Sequence, residues 1–238
     1  MRTWKTHNDS TIECICYGRS NVFLVSRNDH HILIDTGTSP SYATIRKTLN
    51  AIFASGGKAE ALILTHAHFD HSANASKIKA AFPLRLVAHR DDLSHFINGT
   101  NPEIRGSRPF TRFITDTFQK PLSGMMRYSP VEIDVVVDDR YDLDAFGING
   151  YIIHTPGHTP GSVSVIVDDE IAIVGDAMFG VKKNSVFPPF ALDVKTMVQS
   201  WKVLLDTSCS TFLPSHGSEN SRELLERECQ RYADLPEL

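Results

Sequence analysis

The spacing of apolar and polar positions changes period several times along this chain, and each change marks an element. Residues 11–17 alternate, with Ile12, Cys14 and Cys16 on one face, and predict a half-buried strand. Residues 21–26 and 31–34 are further β-rich runs, set off by turn residues at Gly18-Arg19-Ser20 and Arg27-Asn28-Asp29. Together they predict an antiparallel opening meander. Ser39-Pro40 starts a helix in which Ile45, Leu49, Ile52 and Phe53 recur at helical spacing until Ser55-Gly56-Gly57. Residues 61–64 are a short apolar run that reads as a buried strand. A helix is predicted over 72–81, Pro83 breaks it, and 84–87 is strand again.

The second half returns to strands at 131–137, 148–155, 163–167 and 171–174. Val194, Met197, Val198, Trp201 and Leu204 make an amphipathic helix with Asp193 as its N-cap. A short strand at 211–214 and a last helix, with Leu224 and Leu225 turned inward, complete the pattern. The least regular part is about 91–130. There Phe110, Phe113, Ile114 and Phe118 share one helical face, and Met125, Met126 and Tyr128 follow. Such a stripe serves as core packing or as a lid over a site. No linker or low-complexity tract interrupts the chain, so 1–238 is expected to be a single domain with a helical insertion at about 91–130.

Composition narrows the classes. With 238 residues and 41% hydrophobic content the chain can bury a sizeable core. A formal net charge of −4 gives no electrostatic footprint for nucleic acid, so none is expected as a partner. No apolar run approaches the about 20 residues that span a bilayer. The polar stretch 1–10 lacks the apolar segment of a signal peptide. Cys14, Cys16, Cys209 and Cys229 form no zinc-ribbon or thioredoxin-like pair and read as free thiols in a reducing compartment. A cytoplasmic protein with a small-molecule substrate and no membrane is expected; oligomeric state is left open.

The chemistry concentrates in Thr65-His66-Ala67-His68-Phe69-Asp70-His71, directly after a buried strand and before a helix. Three imidazoles and a carboxylate in one tight turn suit a divalent ion, zinc above all, with iron or manganese also accepted by such donors. Three more strand ends carry ligand-type residues: His158 between two Pro-Gly pairs, Asp176 after an apolar run, and His216 beside Gly217. Asp35, in Ile34-Asp35-Thr36-Gly37, reads either as a turn former or as the partner that fixes the tautomer of a ligand histidine. Lys182 and Lys183 could meet a substrate carboxylate or simply be solvated.

In this order the motifs resemble the metallo-β-lactamase superfamily, over nearly the whole chain: His-x-His-x-Asp-His at 66–71, then His158, Asp176 and His216, with IDTG at 34–37 and TPGHTPGS at 155–162. The resemblance implies an α/β fold, a four-layer αββα sandwich with metals at one edge. It implies two divalent metal ions: His66, His68 and His158 would hold one, Asp70, His71 and His216 the other, and Asp176 would bridge them. The implied activity is that of a metal-dependent hydrolase of the glyoxalase II-like or lactonase-like branch, cleaving a thioester or lactone by a metal-bridging hydroxide, with Asp70 also orienting it or moving its proton. Asp176 points away from the antibiotic-degrading members; the flavodoxin domain of flavin-linked members and the C-terminal helical domain of glyoxalase II are not expected here, and the acidic balance gives an RNase Z-like RNA-gripping arm little support. Ser72-Ala73 departs from the Gly pair often found after the metal turn. Two other readings stay open: an iron-dependent persulfide dioxygenase type of redox enzyme, and a two-metal phosphodiesterase or nuclease.

Overall fold

The computed structural model describes residues 2–232, and of residues 118–125 the backbone alone. The first sheet is built from β1 (Arg2–Lys5), β2 (Thr11–Cys16), β3 (Val22–Arg27), β4 (His30–Ile34), β5 (Lys58–Ile63), β6 (Arg85–His89) and β7 (Val135–Val137). They lie side by side in chain order, antiparallel from β1 to β4 and parallel from β4 to β7. The second sheet holds β8 (Arg140–Asp142), β9 (Gly150–His154), β10 (Val163–Val167), β11 (Ile171–Gly175), β12 (Thr211–Pro214) and β13 (Asn220–Ser221). Its strands also follow chain order, and only the β11–β12 pair is parallel.

Alternation along the strands explains how the sheets stack. Phe23 and Val25 of β3 point into a core shared with Val163, Val165 and Val167 of β10 and Ile171 and Ile173 of β11. Their neighbours Val22 and Leu24 point the other way, onto helices α1 (Tyr42–Ala54) and α3 (Ala75–Ala81). Ala172 and Val174 likewise face away from the shared core, toward α6 (Val194–Leu205) and α7 (Arg222–Tyr232). Both faces of each central strand are thus covered, which is why β10 and β11 are buried throughout and almost wholly apolar. The result is the four-layer αββα sandwich that the resemblance implies. The remaining helices are α2 (Phe69–Ser72), α4 (Leu93–Asn98), whose Phe96 joins the core under α1 and α3, and α5 (Pro109–Met125). No helix among the described residues is long and apolar enough to cross a membrane.

Several local expectations need correction. Cys14 and Cys16 do not share a face: the pairing with β3 shifts register between them, so Cys14 enters the inter-sheet core and Cys16 packs on the helix side. A bulge inserts one residue and flips everything beyond it. The four cysteines are free thiols. The helix over 72–81 is broken: α2 ends at Ser72, and α3 restarts at Ala75. Asn74, between them, donates its amide to the Thr36 and Thr38 carbonyls at 2.9 Å each, and its N–H to Thr36 Oγ1. That side chain serves the neighbouring loop where it would otherwise extend the helix. The strand over 131–137 shrinks to β7, because Asp134 pairs with Leu86 through its side chain as well as its backbone. The apolar face of α5 is not core: Phe110 and Phe113 are 74% and 68% exposed. The side chains of Phe118 and Met125 lie outside the described residues. The N-terminal edge strand β1, a polar run with no alternation to reveal it, was not expected at all.

Asn74→Ala should leave the buried Thr36 carbonyl without its side-chain donor, while Thr38 keeps the Ser41 N–H, and cost about 1–3 kcal/mol of stability. Urea unfolding with an unchanged m-value would register it as a shift of midpoint alone.

Candidate metal centre

The site stands where strands run out. β4 and β5 are parallel, so their C-terminal ends coincide, and there the chain delivers Asp35 and then residues 65–71. β11 and β12 are parallel too, and deliver Asp176 and His216 at the same edge. His158 arrives in the turn between β9 and β10. Gly175 permits the last approach: with φ +53, it brings its Cα so near Thr65 that an added Cβ would stand 2.9 Å from the Thr65 Cβ.

All seven side chains singled out in the sequence meet here. His66, His68 and His158 form one group, and Asp70, His71 and His216 a second; Asp176 joins His66 and His71 in an overlapping trio, with ligand-type atoms within 4.8 Å of one another in each. His66 Nε2 lies 3.0 Å from His68 Nδ1, which lies 2.9 Å from His158 Nε2. Asp176 stands between the groups. One oxygen is 3.5 Å from His158 Nε2 and 3.2 Å from His216 Nε2, and the other is 3.6 Å from His71 Nε2. Asp70 reaches His216 at 3.6 Å and His71 at 3.8 Å.

The tautomers follow from the partners. Asp35 accepts from the Thr65 N–H at 2.8 Å, from the Thr65 hydroxyl and from the Ser215 hydroxyl at 3.1 Å. Thr65 has spent its one hydroxyl proton, so Thr65 Oγ1 must accept from His66 Nδ1 at 3.1 Å. His71 Nδ1 donates to Asp35 at 2.8 Å, and His158 Nδ1 donates to the Phe190 carbonyl at 3.0 Å. Each of the three rings therefore turns Nε2 toward the centre. Asp35 is the tautomer-fixing partner that its position suggested; it adopts a left-handed φ of +61, which an Asp tolerates better than most residues.

Electrostatics separates the two groups. Burial first, and the neighbouring imidazoles second, hold His66 and His68 well below the usual histidine range; burial also lowers His158, against the pull of Asp176. For His71 burial is outweighed by Asp176, Asp35 and Asp70, which raise it to about 10. His216 is raised as well, burial again yielding to Asp176. Asp176 is driven well below the carboxylate range, because His216 and His71 outweigh its burial. One group is thus a set of neutral imidazoles, and the other carries negative charge that protons or a cation must balance. His68 Nε2, His71 Nε2 and Asp176 Oδ1 are buried with no hydrogen-bond partner. Five imidazoles and two carboxylates with such orphaned atoms fit a pair of divalent ions.

A cavity of about 440 Å³ opens above the group. His68, Asp70, His158, Asp176 and His216 form its floor, and Phe69, Ile104, Ile114, Met126, Phe179 and Phe190 wall it. Arg19 stands at its rim; Lys182 and Lys183 are not among its lining residues. Two contributors had no signal of their own in the sequence: Arg19, which looked like a turn residue, and Asp92, a buried carboxylate after β6 that accepts from Ala67, Thr159 and Gly161. Among the described residues one further trio, His89, Asp91 and His154, brings ligand-type atoms together. Its two rings stack face to face at 3.8 Å and 15°, so their in-plane lone pairs run parallel and do not converge.

Comparison with known proteins agrees with this architecture. Residues 17–216 match the family model described as the metallo-beta-lactamase superfamily. A relative from Bacillus subtilis named "Probable metallo-hydrolase YybB" is 27% identical over 221 residues, covering 90% of this chain and 89% of its own. The Haemophilus influenzae protein named hydroxyacylglutathione hydrolase GloC is 29% identical over 178 residues, 65% of this chain and 73% of its own. The solved structure of TTHA1623 in a di-iron-bound form superimposes with a TM-score of 0.63 at 25% identity, covering 91% of this chain and 98% of that one.

Asp35→Asn keeps the shape of the side chain but removes an acceptor that His71 needs. It should weaken zinc binding about 10–100-fold in competition with a chromophoric chelator. An unchanged affinity would reduce Asp35 to a turn residue.

Proposed function

The chain belongs to the metallo-β-lactamase superfamily, whose members are metal-dependent hydrolases, and from that premise we propose that it is a dinuclear hydrolase of an ester-like acyl bond, a thioester or a lactone. The observation that carries this reading is the Asp176 carboxylate standing between two groups of imidazoles on the floor of an apolar-walled cavity. In this reading His66, His68 and His158 would hold one ion, Asp70, His71 and His216 would hold the other, and Asp176 would serve both. Such a pair, when bound, supplies a water-derived nucleophile at neutral pH and polarises the acyl carbonyl.

The protein's own part is placement. His66, His71 and His158 are held with Nε2 inward by Thr65, Asp35 and Phe190, so the donors need no reorganisation. Asp70 is the floor carboxylate left 16% exposed, and it faces the cavity; it orients the attacking water and can hold a proton for the leaving group. Phe69, Ile104, Ile114, Phe179 and Phe190 exclude bulk water and accept the apolar part of the acyl group. Ile114 and Thr115 come from α5, which supports reading about 91–130 as a lid insertion within one domain spanning 1–238.

The apolar walls favour an acyl substrate over a phosphodiester, whose charge would ask for several cations; among the described side chains Arg19 is the one basic residue lining the cavity besides its histidines. The name of GloC lends the same direction support. Zinc is the proposed native metal, with the iron-bound neighbour keeping iron as the rival.

Protein purified without added metal should contain two divalent ions per chain and hydrolyse a thioester or lactone in a panel that includes aryl phosphodiesters. Turnover of the phosphodiesters alone, or one iron per chain with oxygen uptake, would overturn the reading. Asp176→Ala should lose metal and nearly all turnover; full metal content in that variant would remove its bridging role.

A further inference from the structure

We propose that Asp92 is the positioning residue of the three-histidine group: its carboxylate locks the His66-Ala67-His68 segment to the turn bearing His158, and so sets the spacing at which those imidazoles receive an ion. This rests on the ligand reading given above. Asp92 ends the single 3-10 turn Arg90–Asp92 after β6 and is wholly buried. One oxygen accepts from the Ala67 N–H at 2.9 Å and from the Thr159 hydroxyl at 3.0 Å; the other accepts from the Gly161 N–H at 3.0 Å.

The places of those donors in the chain carry the argument. Ala67 sits between two of the ligand-type histidines, and Thr159 directly follows the third. On the far side of the same two segments, His68 Nδ1 and His158 Nε2 stand 2.9 Å apart. Moving either segment away from Asp92 therefore changes that separation directly. Among the described residues no Lys, Arg or His forms an ion pair with Asp92, so its charge is held by these neutral donors. Gly161 is what admits it: an added Cβ would lie 2.6 Å from the Asp92 Cγ. A carboxylate is required because both oxygens must accept; an Asn would turn an NH₂ toward one of the N–H groups.

The second group is tied down by another carboxylate, which reaches the first group only through Thr65 and the ring of His66. Asp35 joins Thr65, His71 and Ser215, and through Ser215 the strand end that bears His216. Loss of Asp92 should accordingly fall on one ion and spare the other, a pattern that a general loss of stability would not give.

The test is zinc titration of the full-length, metal-free chain against a competing chelator. The wild type should take up two ions. In Asp92→Asn one affinity should fall about 10–100-fold, the range for partners that orient metal ligands, while the other stays at its wild-type value. The site is identified by a cycle: in a His68→Ala background, adding Asp92→Asn should cause no further loss. Should Asp92→Asn fail to fold, Thr159→Val, which deletes one of the three hydrogen bonds, carries the test with a smaller loss at the same site. Equal weakening of both ions, or of neither, overturns the proposal. A wild type that binds no second ion overturns the ligand reading first, and is told apart because no variant is involved.

Discussion

Two imidazole nitrogens that have no proton to share face a third at 2.9 and 3.0 Å, and the rest of the molecule answers to that crowding. His66 and His158 have committed their protons on the outer side, to Thr65 and to the Phe190 carbonyl. His68 has one proton and can satisfy at most one of them. Adding protons is opposed by complete burial and by the neighbouring rings. The favourable occupant of such a point is a cation, and the two segments that meet there gain little from each other directly. Something outside the cluster must hold them together, and buried carboxylates do so: Asp35 accepts from Thr65, His71 and Ser215, while Asp92 spans Ala67, Thr159 and Gly161.

The two groups of donors are therefore not equivalent. The first is neutral and tightly spaced, a set that suits a tetrahedral ion. The second mixes His71 and His216 with Asp70 and Asp176, and its carboxylates raise both imidazoles. Asp176 belongs to both by distance, which makes its two oxygens a link between sites of different electrostatic character.

Much of this was legible in the sequence because it is local. Residues 65–71 lie consecutively in one turn, and the apolar runs before His66, Asp176 and His216 mark strands whose ends must be loops. Resemblance supplied what spacing cannot, namely that turns 90 residues apart meet. The failures are as instructive. Cys14 and Cys16 read as sharing one face because a bulge leaves no trace in a six-residue alternation. Asn74 reads as a tolerable helix residue until Thr36 and Thr38 claim its amide. Phe110 and Phe113 have the spacing of a buried stripe yet face solvent, because α5 turns Ile114 and Thr115 to the cavity instead. Asp92 was invisible for a different reason: an acidic residue after a strand has many uses, and its use here depends on two segments that approach it from elsewhere in the chain.

The same division explains how chemistry and selectivity are kept apart. The floor of the cavity comes from strand ends, fixed by two sheets and by carboxylates with no solvent exposure to speak of. The walls come from Ile104, from α5 and from the loop reaching Phe190, segments tied mainly to each other: Ser107 donates to the Pro189 carbonyl, Ala191 to that of Arg105, and Gly106 pairs with Phe190. Substitutions in those walls leave the hydrogen bonds that orient the donors untouched, even at Phe190, since it is the backbone carbonyl there that holds His158. Phe190 is thus the point where the pocket that chooses a molecule is coupled to the cluster that would cleave it, and because the coupling runs through a backbone carbonyl, its side chain can vary without changing the tautomer of His158.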